Sequence, residues 1–284
     1  MLSHAEQFSI LANTAFQEDI GSGDHSALAA IPADARGKAI LLIKEDGILA
    51  GLDAARSIFH MREPGAVFKA MKMDGDAMKS GEIAFEISAT IHAILACERL
   101  VLNCMQRMSG IATLTRTYVN KLKGYNTRIL DTRKTTPNFR LLEKEAVRIG
   151  GGLNHRFGLY DMIMLKDNHI DYCGSIELAI EKAYLYNYGL SSPLKIEIET
   201  RSLADVKKVL AIGRIDRIML DNFSIPDLKN AIQLIDGKYE TEASGGINLD
   251  NVEEYASTRV DFVSIGALIH QARSLDLSLK AMDG

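Results

Sequence analysis

Three short runs in the first third of the chain, KAILLIKED (38–46), AVFKAMKMD (66–74) and EIAFEISAT (82–90), are rich in apolar residues and bounded by turn formers such as Asp74, Gly75 and Gly81. They predict strands. Residues 5–17 predict a short helix, and the loop EDIGSGDHS after it has the Gly/Asp composition of a turn or a helix start. From His92 to Lys123 the period changes. Ile94, Leu95, Leu100, Val101, Met105, Met108, Ile111 and Ala112 recur at three- and four-residue steps, which predicts one long helix or a pair broken near Ser109 and Gly110. A small α+β domain, joined by this helical segment to a second domain, is the expected arrangement.

After residue 125 short apolar strands alternate with amphipathic helices, the pattern of repeated βα units around a parallel sheet. The strands are TRILD, DMIMLK, LKIEIE, DRIMLD, ETEAS and DFVSIG, and they end at Asp131, Lys166, Glu199, Asp221, Ser244 and Gly266. In an α/β barrel such ends converge on one mouth, where active sites are built. A doubly wound open sheet also places ligands at strand C-termini, but it carries a Gly-rich fingerprint after its first strand. That fingerprint is absent here.

With 284 residues and 47% apolar content, the chain can form one large barrel or two ordinary domains. No run approaches the roughly 18 apolar residues of a membrane span, and MLSHAEQFSI lacks the pattern of a signal peptide. A soluble cytoplasmic protein is expected, without membrane attachment. The three cysteines, Cys97, Cys104 and Cys173, have no metal-ligand spacing and suit a reducing compartment. Cys97 and Cys104 read as buried apolar positions.

Charge changes the picture. The net charge is −4, yet Asp131 to Asp167 hold seven Lys/Arg against five Asp/Glu. A concentrated cationic site on an acidic protein points to a small polyanion held in a focused field. Nucleic acid calls for a broader basic stripe and a higher pI than 6.0.

Arg133 and Lys134 follow one barrel strand, and His155, Arg156 and Lys166 surround the next. Arginine presents a planar fork to carboxylate or phosphate, whereas lysine is a mobile point charge. Lys144 and Arg148, four apart on LLEKEAVRIG, read instead as a solvated helix face, and Arg140 stays open between surface and site. Glu199 and Asp221 close consecutive strands; as hard oxygen ligands they suit Mg²⁺ or ribose hydroxyls, the alternative being charge balance against the basic cluster. Ser244, Gly245 and Gly246, and the later Ser264, Ile265 and Gly266, each follow a strand, as phosphate cradles or as ordinary tight turns. No nucleophile motif stands out: there is no GxSxG, HExxH or Walker A lysine. His25, His60 and His92 read as structural or surface residues, while His155 and His169 flank the basic strand. Since His155 directly precedes Arg156, at most one of the two is expected to point fully into the site.

The segment DTRKTTPNFRLLEKEAVRIGGGLNHRFGLYDMIMLKDNHI resembles the central signature of the quinolinate phosphoribosyltransferases. Supporting stretches span nearly the whole chain: EDIGSGD (18–24), EDGILAG (45–51), ERLVLNCMQRMSGIAT (98–113), LDNF (220–223), EASGGI (242–247) and SIGAL (264–268). The resemblance implies an N-terminal α+β domain over 1–112 and, over 113–284, an incomplete α/β barrel of the type II phosphoribosyltransferase class, with a C-terminal helix near 270–284 packing back on the first domain. It implies a homodimer or higher oligomer. It also implies a reaction: quinolinate and phosphoribosyl pyrophosphate give nicotinate mononucleotide, pyrophosphate and CO₂, with Mg²⁺ and no organic cofactor.

By the same resemblance Thr132, Arg133, Lys134, His155, Arg156 and Lys166 would bind the two carboxylates and neighbouring phosphate oxygens. Arg99 would reach the partner subunit's site. Glu199 and Asp221 would handle ribose hydroxyls and metal; with Lys134 they form the expected catalytic set. Ser244, Gly245, Gly246, Ser264, Ile265, Gly266 and Ala267 would form the phosphate loops. Departures from the family pattern fall at His25, at Asn138 and Phe139 in place of Gly-Leu, at Ile269 and Gln271 flanking a usual Thr-His-Ser, and at one extra residue between Glu199 and Asp221. They leave the charged set intact. A related phosphoribosyltransferase that does not decarboxylate would need fewer cations, and a non-catalytic phosphometabolite sensor would have lost a site residue.

Overall fold

The computed structural model describes residues 2–282. In chain order the elements are α1 (His4–Ile20), α2 (His25–Ala30), β1 (Arg36–Ile43), β2 (Gly47–Ile48), α3 (Leu52–Arg62), β3 (Val67–Ala70), β4 (Ala77–Met78), β5 (Ile83–Thr90) and α4 (Ile91–Lys121). Next come β6 (Arg128–Leu130), α5 (Arg140–Gly150), β7 (Ile163–Leu165), α6 (Asp167–Cys173), α7 (Ile176–Tyr188), β8 (Ile196–Thr200), α8 (Leu203–Ile212) and β9 (Arg217–Asp221). The chain closes with α9 (Ile225–Ile235), β10 (Glu240–Ser244), α10 (Val252–Ser257), β11 (Phe262–Ser264), α11 (Ala267–His270) and β12 (Leu277–Ala281). Contacts group these into two compact units: residues up to Arg116 with Thr135–Gly151 and from Leu268 on, and Thr117–Lys134 with Gly152–Ala267.

The first unit carries an antiparallel sheet in the order β12-β1-β5-β3, with the half-buried Phe68 ring packed against the core rings of Phe59 and Phe85. α1 starts where Ser3 accepts from the Glu6 N–H and the Glu6 carboxylate accepts from the Ser3 N–H, a reciprocal cap. The helical period from His92 resolves as one unbroken helix. Ser109 and Gly110 are packing positions in it, not a break: the Ser109 hydroxyl accepts from the Ala50 N–H at 3.0 Å, and a Cβ at Gly110 would overlap the backbone of Arg273. The helix expected near 270–284 is instead strand β12, whose Leu277, Leu279 and Ala281 lie opposite Ile43, Leu41 and Ala39 of β1. Buried leucines two apart, Leu277 and Leu279, suit a strand, and pairing with β1 overrides the helix propensity of Leu, Lys and Ala.

Lys144 also departs from expectation. It is buried, not on a solvated face, and so is Glu143, whose carboxylate accepts from Arg107 Nε at 3.0 Å and from the Thr136 N–H at 2.8 Å. Arg148 is exposed as expected.

The second unit holds six parallel strands in the order β6-β11-β10-β9-β8-β7. Taken cyclically, this is the order of a barrel left open between its first two strands. The incomplete α/β barrel and the N-terminal α+β fold are thus both present. A single parallel bridge from Leu130 to Leu153 marks the open side. All five positions of β8 are buried, because one face meets helices and the other the barrel interior.

Candidate active site

The barrel mouth is built at the ends of β8, β9 and β10. Because successive strand residues alternate faces, Glu199 shares the inward face with Glu197, Asp221 with Met219 and Arg217, and Ser244 with Glu242 and Glu240. Ser244 Oγ donates to Asp221 Oδ1 at 2.5 Å, and Asn222 Nδ2 donates to Oδ2 at 2.6 Å. Burial, then the charge of Asp221, raises the Glu199 pKa, with Lys166 Nζ 3.8 Å away opposing. Gly245 has φ +94°, and a Cβ there would overlap the Asn222 side chain, so only glycine lets the β10 loop lie against the β9 loop. Gly246 follows with φ +63°, and its carbonyl accepts from Asn251 Nδ2 at 3.0 Å.

The second half of the site is a pair of loops after β6 and before β7. Asp131, fully buried at the end of β6, accepts the His155 N–H at 2.8 Å and Asn154 Nδ2 at 2.5 Å. Asp161 accepts the N–H groups of Phe157 and Gly158, at 2.6 and 2.8 Å. Two carboxylates therefore hold the turn that presents His155 and Arg156. Burial, then the charge of Arg133, lowers the Arg156 pKa, which places two guanidinium groups within each other's field. Thr132 Oγ1 accepts the Lys134 N–H at 3.0 Å and shapes the turn that carries the exposed Lys134. Arg140 Nε donates to Thr135 Oγ1 at 2.9 Å.

His155 faces inward. Its Nε2 lies 3.0 Å from Glu197 Oε2 and 3.4 Å from Glu242 Oε2, while its Nδ1 accepts the Arg156 N–H at 2.7 Å. The ring proton therefore sits on Nε2. Burial opposes a further proton, but Glu197 and Glu242 outweigh it and push the His155 pKa up to about 9. Burial and the charge of Glu242 push Glu197 up to about 7. With Nδ1 engaged by the amide, the extra proton belongs on the carboxylate side of the cluster. Burial also works against a charge on Glu242, yet His155 and Arg217 hold it below its usual range.

The structure brings Arg133 near Arg156, Lys166 near Glu199, and Asp221 near both Glu199 and Ser244. Of the second glycine loop, Ile265 spends its N–H on Leu130 O at 3.0 Å and buries its side chain, and Ser264 is buried too. Gly266 and Ala267 follow at the start of α11. Arg99 is exposed on α4, in the first unit. His169 caps α6, its Nδ1 accepting the Lys166 N–H at 3.0 Å. His60 Nε2 and His92 Nε2 contact the carbonyls of Ala66 and Ile31, in keeping with structural roles.

Sequence reasoning passed over Asp131 as a loop anchor, and Asp161, Glu197, Arg217 and Glu242 altogether. A signal existed for the last three: in IEIET, RIMLD and ETEAS they lie two or four residues before the mouth residues, on the same face.

An open α/β barrel whose mouth sets a lysine beside two carboxylates and a glycine loop, with two arginines on the loops after its first strand and before its second, defines a barrel enzyme that handles small anions. Residues 24–109 match the model of the quinolinate phosphoribosyl transferase N-terminal domain and residues 111–280 that of its C-terminal domain; the chain belongs to this family. It is 43% identical over 281 residues to the chloroplastic nicotinate-nucleotide pyrophosphorylase [carboxylating] of Arabidopsis thaliana, a match covering 94% of this chain and 80% of that one. It is 41% identical over 273 residues to the probable nicotinate-nucleotide pyrophosphorylase [carboxylating] of Bacillus subtilis, covering 96% and 93%. The crystal structure of NadC from Streptococcus pyogenes superposes with a TM-score of 0.91 at 40% identity, covering 100% and 99%. Among the described residues no helix is long and apolar enough to cross a membrane.

Proposed function

We infer that this chain transfers the phosphoribosyl group of phosphoribosyl pyrophosphate to quinolinate with loss of the 2-carboxylate, giving nicotinate mononucleotide, pyrophosphate and CO₂, a step of NAD biosynthesis. The observation that carries this reading within the site is the charge of Arg133 acting on the buried Arg156. Two guanidinium groups on neighbouring loops suit a substrate with two adjacent carboxylates, since each planar fork can take one of them. Lys134 and Lys166 complete the cationic side, with His155 beside Arg156, and Ser244, Gly245, Gly246, Gly266 and Ala267 receive phosphate oxygens.

As pyrophosphate leaves with the electron pair of its bond to the anomeric carbon, positive charge develops on the ribose. Glu199 and Asp221 stabilise that charge electrostatically and hold the ribose hydroxyls. The pyridine nitrogen attacks the same carbon and becomes cationic. The electron pair of the breaking carboxylate bond stays on C2, where the adjacent cationic nitrogen stabilises it; CO₂ departs and this carbon takes a proton, which the Lys134 ammonium supplies in this reading. The raised pKa of Glu199 beside Asp221 marks a crowded hard-oxygen pair that suits Mg²⁺. When bound there, Mg²⁺ supplies charge neutralisation for the departing pyrophosphate.

The same reading makes the enzyme a homodimer in which Arg99, exposed on α4, reaches the partner's site. Three free cysteines support a reducing, cytoplasmic setting. The assay that tests the function supplies phosphoribosyl pyrophosphate and Mg²⁺ with either quinolinate or nicotinate and follows nicotinate mononucleotide by chromatography. Product from quinolinate alone is expected; product from nicotinate alone would replace this reading with a transferase that does not decarboxylate.

A further inference from the structure

Beneath the mouth the barrel holds a line of charged side chains that the reaction does not touch. Lys195 Nζ lies 3.5 Å from Glu240 Oε2, which accepts from Arg217 Nε at 3.2 Å and Nη2 at 3.0 Å. Arg217 Nη1 donates to Glu242 Oε2 at 2.9 Å, and that carboxylate and Glu197 together face His155 Nε2. Glu197 and Glu242 have no exposed surface at all. A charged cluster of this kind, replaced by well-packed apolar side chains, usually leaves a protein as stable or makes it more so. Stability alone therefore does not explain why two carboxylates sit here.

Their arrangement resembles a metal site, because His155, Glu197 and Glu242 each bring one ligand atom within 4.8 Å of the others. The hydrogen bonding argues otherwise. With Nδ1 taking the Arg156 amide hydrogen, the neutral ring carries its own proton on Nε2 and has no lone pair there to give a cation. The Arg217 charge against Glu242 opposes a cation as well.

The line instead ends at Arg156. We propose that Glu197 and Glu242, the latter held by Arg217, are positioning residues for substrate recognition: they fix the His155 ring through Nε2, and the ring through Nδ1 fixes the main chain that aims the Arg156 guanidinium. The idea rests on Arg156 being a quinolinate-binding group, and it accords with the rule by which an outer residue orients a functional histidine through its far nitrogen.

The test uses the full-length protein with Glu242→Gln and Glu197→Gln. In each, the KM for quinolinate should rise about tenfold or more, while the KM for phosphoribosyl pyrophosphate stays within about twofold. ¹⁵N spectra of ring-labelled histidine, with His155 identified by its loss in His155→Asn, should show the Nε2–H tautomer in the wild type and its disturbance in both variants. An equal rise in both KM values, or lowered thermal stability with unchanged KM, would overturn the proposal. So would an Nδ1–H tautomer in the wild type, or a stoichiometric divalent ion retained by the wild type and lost in Glu242→Gln. Should the variants fail to fold, the wild-type tautomer still decides. Absence of any quinolinate-dependent transfer in the wild type would fail the functional reading separately, leaving the tautomer result standing.

Discussion

The Ser244 hydroxyl donates to Asp221 Oδ1 across 2.5 Å, so the end of β10 holds the carboxylate at the end of β9. A hydrogen bond to a charged group contributes about 1.5–3 kcal/mol, and this one steadies a carboxylate assigned to the ribose. Ser244→Ala should therefore lower kcat/KM for phosphoribosyl pyrophosphate by about tenfold or more, with a smaller change in the KM for quinolinate. Steady-state kinetics with each substrate varied in turn checks this; an unchanged kcat/KM for phosphoribosyl pyrophosphate would detach Asp221 from the ribose.

A shared site makes its own prediction. If Arg99 of one protomer completes the partner's site, Arg99→Ala and Arg133→Ala chains are each inactive alone but complement each other when mixed. A random 1:1 mixture yields one intact site per heterodimer, so activity should recover to about a quarter of the wild-type level. The measurement is activity after joint unfolding and refolding, and recovery no greater than in either variant alone refutes the shared site.

The cluster around His155 should make stability depend on pH. Burial lowers the His155 pKa, but Glu197 and Glu242 win and push it up to about 9. The cluster's extra proton, held on the carboxylate side, stays bound up to about pH 9 when folded but is lost near the ordinary 6.5 of histidine when unfolded, so it stabilises the fold fully below the unfolded value and stops doing so as pH rises through about 9. Unfolding free energy from urea titrations should fall by at most about 3.5 kcal/mol across that window. His155→Gln should flatten the fall; an equal slope in the variant would assign it to other groups.

Much of this was legible in the chain itself. All six barrel strands announced themselves because each is a short apolar run ending in a polar residue or glycine, and the mouth residues could be placed from those ends. The regions that misled are those where packing, not pattern, decides. Lys144 looks like a helix-face charge, yet it is buried in the first unit beside a Glu143 that meets Arg107 from α4. The two-residue strands β2 and β4 are too short to show any period, and α3 begins at Gly51 with φ +99° and no side-chain cap to signal its start. Glu197 and Glu242 were overlooked because buried carboxylates are rare, although their spacing from Glu199 and Ser244 places them one layer deeper on the same face.

The central claim is that transfer and decarboxylation are coupled in this site. Quinolinate labelled with ¹⁴C in its 2-carboxylate, incubated with the enzyme, phosphoribosyl pyrophosphate and Mg²⁺, tests it directly. The account predicts that labelled CO₂ appears in step with pyrophosphate and nicotinate mononucleotide, in equal amounts, and that none appears when phosphoribosyl pyrophosphate is left out. Pyrophosphate formed without labelled CO₂, or CO₂ released without phosphoribosyl pyrophosphate, would contradict it.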